Sequence, residues 1–129
     1  QCVVVAIDTK FEEGNWWVYT KGGTCKTELN CLEWAVEVAN RGAGEILLTS
    51  MNNDGTNQGF ALDITRLVSE NVNIPVIASG GAGTLGHVNE VFTEGKADAA
   101  LAASVFHYGQ IPIPLLKAFL AEEGIAVRV

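Results

Sequence analysis

Residues 41–56 read RGAGEILLTSMNNDGT, and the run EILLTS at residues 45–50 decides the fold. It is of strand length, apolar without clean alternation, and bounded by glycine before and by Asn, Asp and Gly after. That is the pattern of a parallel strand covered on both faces. Three more runs share it: CVVVAI at 2–7, IPVIAS at 74–79 and DAALAAS at 98–104. A helical pattern follows each. Asn30, Cys31, Leu32 and Glu33 form a capping box that opens a helix through Trp34, Val36, Val38 and Ala39, with Gly42 placed to end it. The spacing predicts further helices over 62–70, closed before Pro75, over 85–94, closed by Gly95, and over 112–123, with Pro112 near the first turn and Gly124 after it. The expectation is a single α/β domain over 1–129, a (βα)₄ unit of four parallel strands each followed by a helix.

One insertion interrupts the alternation. Residues 10–20 (KFEEGNWWVYT) read as two short strands around Glu12, Glu13, Gly14 and Asn15, a hairpin in the first βα loop with Trp16 and Trp17 as its packing residues. Gly22, Gly23 and Thr24 beyond it form a candidate mobile segment over an active face. Four parallel strands fit either an open doubly wound sheet or half of an eight-stranded barrel, and periodicity does not choose. Half a barrel leaves two strand edges and an apolar inner face without partners.

Composition narrows the function. The 129 residues carry 8 Lys and Arg against 15 Asp and Glu, a net charge of −7, which excludes nucleic acid as the main partner. At 48% hydrophobic and 18% charged, the chain is globular and rich in apolar residues. No apolar run reaches the roughly 18 residues of a membrane span, and no leader pattern opens the chain. It reads as soluble and cytoplasmic. Cys2, Cys25 and Cys31 are odd in number and lack a C-x-x-C spacing, so they read as reduced, structural cysteines. A chain opening on Gln1 and running at once into apolar residues reads as a segment related to part of something longer.

In parallel α/β folds, ligands bind at the carboxyl ends of the strands. Residues 81–86 (GAGTLG) match G-x-G-x-x-G between a strand and a helix. A dinucleotide site wants that motif in the first βα turn, with an acid ending the next strand. Here it lies in the third unit, and the next strand ends Ala103-Ser104-Val105. The same glycines fit a single phosphate better: N–H groups of Gly80, Gly81 and Gly83 at a helix N-terminus make a nest, and Ser104 supplies neighbouring donors. Asp8, after the first strand, is a loop cap or a general acid–base carboxylate. Asp54, Gly55 and Thr56 read as a turn that joins Thr49 and Ser50 in a polar cluster beside the nest. His87 and His107 have no acid at metal-partner spacing, so no metal is assigned and no cofactor is implied. Glu90, Glu94, Asp98, Glu122 and Glu123 read as a solvated outer face.

VVVAID, RGAGEILLTSMNNDGT, PVIASGGAG and ADAALAASVFH, in that order, closely resemble the C-terminal half of the cyclase subunit of imidazole glycerol phosphate synthase, of histidine biosynthesis. The resemblance covers essentially the whole chain. It implies one half of a TIM (βα)₈ barrel, a lyase that combines ammonia from a glutamine amidotransferase partner with a bisphosphorylated aminoimidazole carboxamide ribonucleotide. Its products are imidazole glycerol phosphate and an aminoimidazole carboxamide ribotide. By motif match, Asp8 takes the place of one of two catalytic aspartates. Asp54, Gly55, Gly81 and Ser104 fall on one of two phosphate sites, and Glu45 on a charged gate for ammonia. Ala61 stands where the family usually has an acid, and Thr27-Glu28 where Thr-Gly is frequent. The first four βα units, with the second aspartate, are missing. Two functions follow as expectations: cyclase chemistry once the barrel is completed, or a phosphate-binding, self-assembling scaffold without turnover. The edges predict a homodimer in which strand one of each copy meets strand four of the other, with two copies of Asp8 across one mouth.

Overall fold

A computed structural model describes residues 2–128; the two terminal residues of the expected 1–129 domain, Gln1 among them, lie outside the described residues. Strands β1 (Val4–Glu12), β2 (Asn15–Thr20) and β3 (Cys25–Asn30) lead into helix α1 (Cys31–Asn40). Then follow β4 (Glu45–Ser50), α2 (Leu62–Asn71), β5 (Val76–Ser79), α3 (Leu85–Thr93), β6 (Ala99–Leu101), the short α4 (Ser104–His107) and α5 (Ile113–Glu122). They form one sheet in the order β3-β2-β1-β4-β5-β6, in which β1, β4, β5 and β6 are parallel neighbours in chain order. A doubly wound sheet reverses direction partway along that order. Here each crossover steps the same way, and with right-handed crossovers all helices fall on one face. This α/β fold with a parallel-strand sheet is consistent with half of a TIM barrel.

That layering corrects the reading of strands covered on both faces. Burial alternates along β4, where Ile46, Leu48 and Ser50 are buried while Glu45, Leu47 and Thr49 are only partly so. Ile7, Ile46, Leu48 and Val76 pack with Cys31, Ala35 and Val38 of α1 and Ile64 and Val68 of α2. Ala78 packs with Val88 and Val91 of α3 and Leu116 and Leu120 of α5. The opposite face carries Ala6, Asp8, Leu47, Thr49, Ile77 and Ser79, with no helix over it among the described residues. Small and aliphatic residues without alternation fit both arrangements, which is why the apolar runs misled.

Local chemistry explains the helix starts. The Asn30 side chain accepts from the Glu33 N–H at 3.2 Å, and the Thr84 hydroxyl does the same for His87. Gly42, at φ +100°, follows α1 as expected. The hairpin is larger than expected. β1 continues unbroken through Glu12, turns at Glu13 and Gly14, and pairs antiparallel with β2. Residues read as a loop then form the third strand, β3, so Gly22 and Gly23 belong to the β2–β3 turn. The fourth run is cut short because residues 104–107 coil into α4. Asp98 is exposed as expected, and its carboxylate also accepts from the Val76 N–H at 2.9 Å, tying the start of β6 to β5.

Among the described residues no helix is long and apolar enough to cross a membrane. Cys31 is fully buried, which pushes its thiol up to about 11, whereas Cys2 and Cys25 are exposed and do not belong to the core.

Candidate functional site

The carboxyl ends of β5 and β6 enclose a cavity of about 220 Å³, lined by Asp54, Gly55 and Asn57, by Ser79, Gly80, Gly81 and Ala82, and by residues 101–104. That is below the range of pockets for nucleotide-sized ligands and suits one compact group. No Lys or Arg lines it, so an anion there relies on backbone N–H groups and hydroxyls. Asp54, Gly55, Gly80, Gly81 and Ser104 are thus brought together. Gly83 is not: its N–H donates to His87 Nδ1 at 3.2 Å, and a Cβ on it would run into the Asn57 carbonyl. Gly83 is a packing glycine, and His87 a clasp on the loop.

The loop after β4 is shaped by a residue the sequence reading passed over. Asn53 accepts from Ser50 Oγ at 2.7 Å and donates to the Gly59 carbonyl at 2.9 Å, and Gly59 N–H donates to the Gly81 carbonyl at 2.7 Å. Gly81, at φ +106°, lies so close to the Gly59 carbonyl that a Cβ has no room. Ser50 is therefore not on the ligand side, being 3% exposed with its hydroxyl committed to Asn53. Thr56, also expected to face substrate, turns its hydroxyl to the Asn53 carbonyl at 2.6 Å. An Asn following a strand and preceding Asp-Gly was the available signal, because such side chains bond nearby backbone.

Strand register joins the cavity to Asp8. Asp8 pairs with Thr49, and Thr49 with Ser79, in one row on the open face. Two strand spacings, about 10 Å, separate the row's ends. Ser79, unremarked in the sequence, supplies the cavity end of that row. Glu45 lies on the same face at the opposite end of β4, beside Val4.

Beyond Asp8 the hairpin raises a second polar group. Glu12 accepts from Tyr19 Oη at 2.7 Å and from Lys10 and Lys26 Nζ at 2.8 Å each. The hydrogen bonds from Lys10 first, then Lys26 and Tyr19, hold its carboxyl down at about 2. Lys26 also lies 5.3 Å from the centre of the Trp17 ring, while Trp16 packs against the core. Both tryptophans are packing residues of the hairpin. Ala61 is buried at the start of α2, where its carbonyl accepts from the Thr65 hydroxyl. Among the described residues no three His, Cys, Asp or Glu side chains gather as a metal set.

A family model described as "Histidine biosynthesis protein" matches residues 1–112. The chain belongs to the histidine biosynthesis protein family. Within it, the chain is 60% identical over 129 residues to imidazole glycerol phosphate synthase subunit HisF of Flavobacterium johnsoniae, an alignment covering all of this chain and 51% of that protein. It is 57% identical to the subunit HisF of Saccharolobus solfataricus, again over 100% and 51%. For that of Cytophaga hutchinsonii the identity is 56%, over 99% and 51%. The chain spans about half the length of these relatives of the family.

Proposed function

We propose that this family member is a half-barrel which, completed to eight strands, performs the cyclase reaction of imidazole glycerol phosphate synthase. Ammonia and a bisphosphorylated ribonucleotide then give imidazole glycerol phosphate and an aminoimidazole carboxamide ribotide. The observation that carries the reading is the row Asp8–Thr49–Ser79, which sets a carboxylate about 10 Å from a glycine-walled cavity on one open face. In this reading one terminal phosphate sits in the cavity against Gly80, Gly81 and Ser104. The chain of the ligand passes Thr49, and Asp8 relays protons at the reacting carbon and nitrogen. Glu45 stands where ammonia enters from the amino ends of the strands, delivered by a glutamine amidotransferase subunit docked there. A second copy of this chain is the partner that completes the barrel.

The test joins the chain to the complementary half-barrel of a relative and assays turnover with ammonium as nitrogen donor, alongside a phosphate titration followed by NMR. Asp8→Asn is expected to abolish turnover and spare phosphate binding. Ser104→Asp places a like charge at the cavity, while an acid in the first turn of α4 is favourable for that helix, and it is expected to lose phosphate binding. Turnover unchanged by Asp8→Asn overturns the assignment; phosphate binding without turnover in the completed barrel leaves the scaffold reading in its place.

A further inference from the structure

Helix α3 opens on Thr84-Leu85-Gly86-His87, the layout of a capping box with one residue changed. The Thr84 hydroxyl accepts from the His87 N–H at 3.2 Å, and the side chain at the third helical position reaches back to a backbone N–H ahead of the helix. In a capping box that side chain is Glu or Gln. Here it is His87, whose Nδ1 accepts from the Gly83 N–H at 3.2 Å. The same ring lies against Gly59, since a Cβ there would stand 3.5 Å from its Cδ2 and 3.6 Å from its Nε2. One side chain therefore touches both loops. Gly83 follows the Gly80 and Gly81 wall of the cavity, and Gly59 is the residue whose N–H and carbonyl meet Gly81.

An imidazole nitrogen accepts a hydrogen bond only while it carries no proton. Once both nitrogens are protonated, the ring presents Nδ1–H to an N–H that already points at it. It also sets a positive charge on the first turn of α3, where the helix dipole opposes it. Imidazole ordinarily changes charge between pH 5 and 8, where carboxylates, lysines and arginines keep theirs. The loops against the ring, residues 51–61 and 80–84, carry one ionisable group, Asp54, at the cavity. Glu90 lies one turn further along α3. Of the helices packed with α3, α2 carries Asp63, Arg66 and Glu70, and α5 carries Lys117 and Glu122. Among the described residues none of these groups hydrogen-bonds to the ring, whose partner is the Gly83 N–H.

We propose that His87 is the positioning residue of the glycine wall: its uncharged ring holds the Gly59 and Gly81 loops in the arrangement that binds an anion, and protonation of the ring releases them. This rests on the reading of the cavity as a phosphate site and adds the group that controls it.

Sulfate is the probe, because it keeps two charges from pH 8 to pH 5 while phosphate gains a proton there. Its affinity, followed by NMR titration, is expected to fall about tenfold over that range, the factor that one lost hydrogen bond sets. His87→Asn puts an acceptor oxygen in the place of Nδ1 and does not titrate, so it should bind sulfate as the unaltered chain does at pH 8 and show no pH response. His87→Leu should bind weakly at both ends. His107, exposed at the end of α4, is the other imidazole, and His107→Asn should keep the full response. A second readout needs no ligand: protection of the Gly59 amide, taken relative to its intrinsic exchange rate at each pH, should fall over the same range in the unaltered chain and stay level in His87→Asn. A pH response that survives His87→Asn, or Gly59 protection indifferent both to pH and to His87→Leu, overturns the inference while the phosphate reading stands. Gly59 protection that follows His87 in a chain binding no sulfate at pH 8 upholds the clasp and overturns the phosphate reading instead.

Discussion

The hairpin of β1, β2 and β3 and the loop pair around Gly59 and Gly81 stand on the same end of the sheet and are held by opposite means. The hairpin is tied by side chains at the surface: Glu12 between Lys10, Lys26 and Tyr19, and Asn52 against the Phe11 backbone. The loops are tied by backbone in contact with backbone, with Asn53 as the side-chain brace between them. A charge network in water tolerates the loss of a member, because solvent replaces much of the interaction. A backbone contact that excludes a Cβ has no such substitute. The wall beside Asp8 is therefore open to variation, and the phosphate cavity is not.

Gly81→Ala should show the largest effect. The added Cβ meets the Gly59 carbonyl at a positive φ, so denaturant titration is expected to show a loss of roughly 3 kcal/mol or more, together with loss of phosphate binding. An alanine tolerated there would erase the contrast. Asn53→Ala follows, with an expected cost of about 1–3 kcal/mol for leaving Ser50 Oγ and the Gly59 carbonyl without their partner, and weaker phosphate binding at unchanged hairpin structure. Gly14→Ala separates strain from crowding. Its φ is +77°, but nothing lies within 4 Å of the site, so thermal unfolding should register only the left-handed backbone, about 1 kcal/mol.

Glu12→Gln should change stability least at neutral pH, and its signature is in acid. The Glu12 carboxyl sits at about 2 against an ordinary 4.5, so its contribution is fully present above pH 4.5 and is lost as the pH falls from there through about 2. Amide protection across β1–β3, taken relative to the intrinsic exchange rate at each pH, should fall over that window in the unaltered chain and be flat in Glu12→Gln. An acid response that persists in the variant places the titrating group elsewhere.

Helix α1 was legible because its start is written in four consecutive residues, Asn30 to Glu33, and its end in Gly42. Local hydrogen bonds decide both. The (βα)₄ count was legible for the same reason, and so were Asp54, Gly80, Gly81 and Ser104 as residues at strand ends. β3 was not. Lys26 and Glu28 carry no apolar alternation, and the strand exists because β2 offers it backbone partners. Ser50 and Gly83 were misplaced toward the ligand because residue type states what a side chain can bond, not which neighbour reaches it first.

The sequence by itself determined the alternation of strands and helices, the helix boundaries and the family, since each rests on residues adjacent along the chain or on motifs in fixed order. Periodicity left a doubly wound sheet and half of a barrel open, and beyond the family resemblance only the tertiary structure bears on that choice. That choice depends on the side to which each crossover steps, and the order β1-β4-β5-β6 with helices on one face is a property of packing between segments 22 to 41 residues apart in the paired strands. It likewise decided that Asp8, Thr49 and Ser79 share a row, because parallel register is fixed by hydrogen bonds between strands and leaves no mark within any one of them.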